Sequence, residues 1–161
     1  MSATKFQEHL LILPEDDAYH AIATSFVESL GQEVSRRAQV LNAARGWIHA
    51  RQIAVEDGLK LRKYGDRKLL LVIDFDTVSE RLAQMSAALP ADIRDRIFII
   101  GSANEAEDLR RELGPYSRIG SLISEECRRG ATDLWQHPLL ALNRVEVQRL
   151  APVVQRLFFP A

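Results

Sequence analysis

Cysteine is nearly absent: Cys127 stands alone in 161 residues. That excludes an internal disulfide framework and a thiolate zinc site. With no histidine near it in sequence, Cys127 reads as a buried structural thiol rather than a nucleophile. No run of apolar residues approaches the roughly 20 needed to span a bilayer, and the first residues lack a signal-peptide core. A cytoplasmic, soluble chain is expected. The net charge of −1 excludes a uniformly basic coat for nucleic acid. Glycine-rich phosphate loops, a Gly-x-Ser-x-Gly elbow and a His-Glu-x-x-His pair are also missing. Nucleotide-cofactor and serine-hydrolase chemistry therefore have no support.

What is present is an ordinary globular balance, 47% hydrophobic and 27% charged, and one conspicuous run, Leu69-Leu70-Leu71-Val72-Ile73-Asp74-Phe75-Asp76. A strand apolar on both faces belongs inside a parallel sheet. Alternation puts Asp74 and Asp76 on the same side at its carboxyl end, where open α/β sheets bind ligands. An earlier run, Leu10–Leu13, also ends in acids, Glu15-Asp16-Asp17. If the two strands are neighbours, these carboxylates converge, and they either bind a hard cation or repel one another.

Strand and helix signals alternate along the chain. After the strand at 10–13, a helix capped by Asp16 or Asp17 carries the stripe Tyr19, Ile22, Ala23, Phe26, Val27 and Leu30. A short strand at 38–41, a helix over about 47–59 and the strand 69–75 follow. Thr77-Val78-Ser79-Glu80 forms a capping box for the next helix, which Pro90 stops. A strand at 96–100 leads to a second capping box, Ser102 and Glu105. Residues 119–127, 134–142 and 145–159 all read helical. The expected fold is α/β: a four-stranded, mostly parallel sheet sandwiched by helices, with a helical C-terminal extension. One domain is expected over 1–161, an α/β core at 1–113 with residues 114–161 packed on it.

The strand ends together resemble the TOPRIM fold of topoisomerases, primases, OLD-family nucleases and small stand-alone TOPRIM-like proteins. Leu11-Ile12-Leu13-Pro14-Glu15-Asp16-Asp17 stands where that pattern has its first strand and Glu, and Ile73-Asp74-Phe75-Asp76 stands at its Asp-x-Asp. The usual glycine after the Glu is Asp16 here. The resemblance covers residues 10 to about 110. It implies Mg²⁺ or Mn²⁺ held by Glu15, Asp17, Asp74 and Asp76, with Glu15, Asp74 and Asp76 carrying phosphodiester cleavage in nucleic acid. Glu15 serves as a ligand or as a general acid or base. Such a short chain is expected to draw substrate grip from a protein partner or a second copy. Nine Arg and Lys residues against four acids between 33 and 68, together with Arg81 and Arg94, are candidates for phosphate contacts.

Two other readings stand beside it. Paired acids after the first strand, Asp74 after the third and Ser102 after the fourth also suit a receiver-like phosphoacceptor, although no fifth strand with a lysine is evident. A non-catalytic interaction module would use Trp135, near His137, as a partner anchor. Each acid also has a structural use, as a cap where a strand meets a helix.

Overall fold

The computed structural model describes residues 7–75 and 79–160. Four parallel strands form one sheet: β1 (His9–Pro14), β2 (Ala38–Val40), β3 (Arg67–Asp74) and β4 (Ile97–Ser102), in the order β2-β1-β3-β4. The helices are α1 (Asp17–Glu28), α2 (Gln32–Ser35), α3 (Trp47–Val55), α4 (Ser79–Ala88), α5 (Ala106–Leu113), α6 (Tyr116–Arg129) and α7 (Arg144–Phe158). The expected α/β architecture with a helical C-terminal segment is what the chain adopts. Among the described residues no helix is long and apolar enough to cross a membrane.

Period-two alternation divides the core. Leu10, Ile12, Leu70, Val72 and Phe98 face α1, α6 and α7, whereas Leu11, Leu13, Leu69, Leu71, Ile73, Ile97 and Ile99 face the layer of α3 and α4. Each fully buried aliphatic side chain contributes about 2 kcal/mol, which is why a strand as apolar as β3 must lie centrally. Gly101 lets β4 lie close against β3, since a Cβ there would sit 1.7 Å from the Ile73 carbonyl oxygen. Gly120 does the same between α6 and α1, where a Cβ would come within 2.5 Å of the Ile22 carbonyl.

Local chemistry moves several expected boundaries. The helix expected to reach about residue 59 stops at Val55, because Asp57 and Lys60 take positive φ and the Asp57 carboxylate accepts from the amides of Leu61 (2.7 Å) and Arg62 (3.2 Å). The second capping box does not form. Ser102 remains in β4, its carbonyl taking the Phe75 amide at 2.8 Å, and Glu105 stands at the N-cap of α5 with no side-chain bond. Of the first capping box, Thr77 and Val78 lie outside the described residues. Residues 134–142 form two 3₁₀ turns on either side of Pro138 instead of a helix. Buried Glu126 fixes the first turn by accepting from the Leu134 amide, and Trp135 packs into the core against the sheet.

The outer edge of β4 is covered by side chains. Asn143 accepts from the Gly101 amide at 2.9 Å and donates to its carbonyl at 2.7 Å. Glu146 accepts from the Ile99 amide at 3.0 Å, and Arg149 donates to the Ile97 carbonyl. Spaced three apart, these residues share one face of the α7 segment and satisfy alternate positions of an edge that would otherwise invite pairing.

Candidate functional site

The strand order reverses between β1 and β3: the chain first builds outward to β2, then returns to the other side of β1. The connections that leave two such strands turn to opposite faces of the sheet and leave a crevice, the place where open α/β sheets bind ligands. Glu15 and Asp74 stand there. Their strands pair in register from His9↔Arg67 to Pro14↔Val72, and the Glu15 amide extends the ladder to the Val72 carbonyl at 2.8 Å.

Glu15 is fixed on both its backbone and its side chain. Its carbonyl accepts from the amides of Arg45 (2.8 Å) and Gly46 (3.2 Å), in the turn that opens α3. That turn needs φ of +63° at Arg45 and +123° at Gly46, the first uncommon for a residue with a Cβ. The Glu15 carboxylate accepts from the Asp74 amide at 2.6 Å and also draws on the Trp47 amide at the start of α3. Burial raises the Glu15 pKa and the Asp16 charge adds to that, while these amides and Arg81 pull it back.

Asp74 faces α1. Tyr19, 2% exposed, donates its hydroxyl to Asp74 Oδ1, and Arg81 Nη1 donates to the Asp74 carbonyl at 2.6 Å. Burial is the main reason that the Asp74 carboxyl is pushed up to about 7. The Tyr19 hydrogen bond opposes this, and the charges of Glu15, Asp16 and Glu107 reinforce it. Burial together with the Asp74 charge holds the Tyr19 phenol well above its ordinary value, so it stays protonated and donates. Ser102 is opposite Asp74 in the β3–β4 register and fully buried. Its hydroxyl lies close enough to the phenol to favour the phenolate, yet makes no hydrogen bond of good geometry to any described residue.

Of the expected four carboxylates, that of Glu15 meets the backbone amide of Asp74, while the Asp74 carboxylate turns to Tyr19. Asp17 is exposed in the first turn of α1 and bonds to neither, whereas Asp16 caps that helix through the Tyr19 amide at 3.1 Å. Asp76 lies outside the described residues. Among the described residues, no three Asp, Glu, His or Cys side chains are gathered so as to hold a metal ion by themselves. No family model, curated protein or solved structure matches the chain.

Four of the nine cations of the basic segment are tied up away from the crevice. Arg67 donates to His9 and to the Leu59 carbonyl, Lys68 pairs with Glu8, and Arg37 reaches the Leu157 carbonyl, all towards the amino-terminal edge of the sheet or α7. Arg62 pairs with Asp92, and Arg94 donates to the Leu89 carbonyl. Beside the acidic crevice, the guanidinium carbons of Arg81 and Arg51 lie 4.8 and 5.2 Å from the centre of the Trp47 ring. Tyr19 is the residue that pattern reading missed: it fits the apolar stripe of α1, and the only hint of another role is a hydroxyl that needs a partner once buried.

Proposed function

We propose that the crevice between β1 and β3 is the divalent-cation centre of a TOPRIM-like cytoplasmic domain that cleaves or otherwise processes phosphodiester bonds in nucleic acid. The observation that carries this reading is the Glu15 carboxylate seated on the Asp74 amide at the switch point of the sheet. The donors fit the group: they are hard oxygens, and Mg²⁺ is commonly bound by one or two carboxylates, with waters and substrate phosphate completing its shell. Two carboxyls whose pKa values are raised by burial and by neighbouring acids are also what a cation would relieve. Asp76, two residues beyond Asp74, would complete the set. Bound there, Mg²⁺ or Mn²⁺ would neutralise phosphoryl oxygens and acidify a water.

The chain's own residues have separate tasks in this reading. Tyr19 orients Asp74 and favours its anion; Glu15 joins the ends of β1 and β3. Arg81, which donates to the Asp74 carbonyl, would be the cation to meet a phosphate in the crevice. Because Arg37, Arg62, Arg67 and Lys68 are engaged elsewhere, further grip on nucleic acid is expected from a protein partner or a second copy. The test is cleavage of labelled DNA and RNA oligonucleotides with Mg²⁺ or Mn²⁺. Activity abolished in Glu15→Gln, Asp74→Asn and Asp76→Asn, with Asp17→Asn retaining it, supports the reading. Equal activity in wild type and all four variants sinks it.

Ser102 favours a second reading, a receiver-like acceptor. The Asp74 carboxylate would attack the phosphorus of acetyl phosphate, the bond to the acetate oxygen would break, and acetate would leave. A mass gain of one phosphoryl group, lost in Asp74→Asn, would select this reading over the first.

A further inference from the structure

We infer that the cavity between the sheet and helices α1, α6 and α7 is a binding site for one small, uncharged apolar molecule about the size of a single aromatic ring. Its volume is about 180 Å³. The floor is the α1-facing side of the sheet, including Ile12, Val72 and Ile100, and the walls include Ile22 of α1, Ile123 of α6 and Leu150 of α7. Protein interiors are packed to crystal density, whereas this pocket, open to solvent on one side, leaves its apolar walls uncovered.

Water is a poor occupant. The described lining has no charged side chain, and its polar groups are confined to Thr132, Trp135, Gln155 and the Cys127 thiol, so an interior water would find too few partners. Burial pushes that thiol up to about 11, leaving it neutral at physiological pH. A cavity of roughly 150 Å³ lined by Leu, Ile and Phe stays dry and takes benzene in another protein, which sets the ligand scale.

Collapse is also resisted, because the walls are held from outside. α6 is pinned to α1 at Gly120. α7 is held along β4 through Glu146 and Arg149, with Asn143 just before it, and near its far end Arg37 donates to the Leu157 carbonyl at 2.9 Å. Between the two helices Gln155 donates to the Cys127 carbonyl. None of these ties requires the space inside to be filled. The residues at the end of α6 and on α7 that border the cavity are small where they are exposed, Gly130 and Ala151, which leaves room for entry. Val72 and Ile100 are each two residues before Asp74 and Ser102, so an occupant would brace the floor immediately behind the acidic crevice.

The experiment titrates benzene, indole and benzoate separately into full-length protein carrying labelled Ile, Leu and Val methyl groups. Benzene or indole is expected to give saturable shifts at Ile12, Ile22, Val72 and Ile100, little change at Leu11, Leu71 and Ile99 on the other face, and a higher Tm. Ala151→Phe, at an exposed position and so compatible with folding, is expected to weaken binding by about tenfold by obstructing the mouth. Ala23→Leu fills the interior and should abolish it. Shifts that stay linear in probe, that are equal on both faces, or that persist undiminished in both variants overturn the inference. So does benzoate binding as well as benzene. Methyl shifts on this face that follow protein concentration instead of probe would make a second copy the occupant and would also overturn it.

Discussion

Replacing Asp74 with Asn should stabilise the protein, and only on the alkaline side. The Asp74 carboxyl is raised from 3.8 to about 7, chiefly by burial. The folded protein therefore keeps a proton that the unfolded chain releases above about pH 4, and stability falls as pH rises from about 4 to 7, then levels off. At about 1.4 kcal/mol per tenfold in proton activity, the full displacement corresponds to at most about 4 kcal/mol. Asp74 is only partly buried, so solvent screening reduces the expectation to about 2 kcal/mol. Asn keeps an oxygen to accept from Tyr19 and does not ionise. Urea denaturation at pH 4 and pH 8 measures this: the two proteins should agree at pH 4, and Asp74→Asn should be about 2 kcal/mol more stable at pH 8, equivalent to about 4–8 °C in Tm for a chain of this size. Mg²⁺ at pH 8 should narrow the gap by stabilising wild type alone. A variant equal to or weaker than wild type at pH 8, without metal, would show that the Asp74 carboxyl is not held protonated by burial.

Three further outcomes follow from the same geometry. Tyr19→Phe removes the donor that favours the Asp74 anion, so the carboxyl should titrate at higher pH than in wild type, read from the Asp74 carboxylate carbon by NMR. Asn143→Ala leaves the buried Gly101 amide and carbonyl without partners and should lower stability by about 2–3 kcal/mol in urea. Glu8, paired with Arg156 and Lys68, is held near 2, so its contribution is complete above about pH 4.5 and is lost as pH falls towards 2. Glu8→Gln should therefore cost about 1 kcal/mol at pH 6 and nothing at pH 2 in denaturant melts.

The parts of the fold legible in sequence are those that a single pattern dictates. Leu69–Ile73 has no polar face, so it had to be central, and the alternation of strands with amphipathic helices required a parallel sheet. The acids at the ends of the first and third strands were legible because they interrupt apolar runs. Tertiary choices were not legible. Ser102 followed by Glu105 has the spacing of a capping box, but Gly101 keeps β4 paired with β3 through Ser102 and moves the helix start to Ala106. Asn143, Glu146 and Arg149 look like an ordinary polar helix face until β4 lies beside them. The cations of 33–68 read as one surface, yet folding ties Lys68 to Glu8, Arg37 to α7 and Arg62 to Asp92. Tyr19 fits a core stripe equally well with or without a carboxylate under its hydroxyl.

Whether the crevice holds a divalent cation is settled by calorimetric titration of Mg²⁺ and Mn²⁺ into wild type and Asp74→Asn, with and without an oligonucleotide and in two buffers of different ionisation enthalpy. Saturable binding at pH 7 accompanied by proton release is expected, because the cation displaces the proton that Asp74 retains, with both lost in the variant. Wild type that binds neither metal, even with oligonucleotide present, or that binds with the same affinity and proton release as Asp74→Asn, would contradict a cation centre in the crevice.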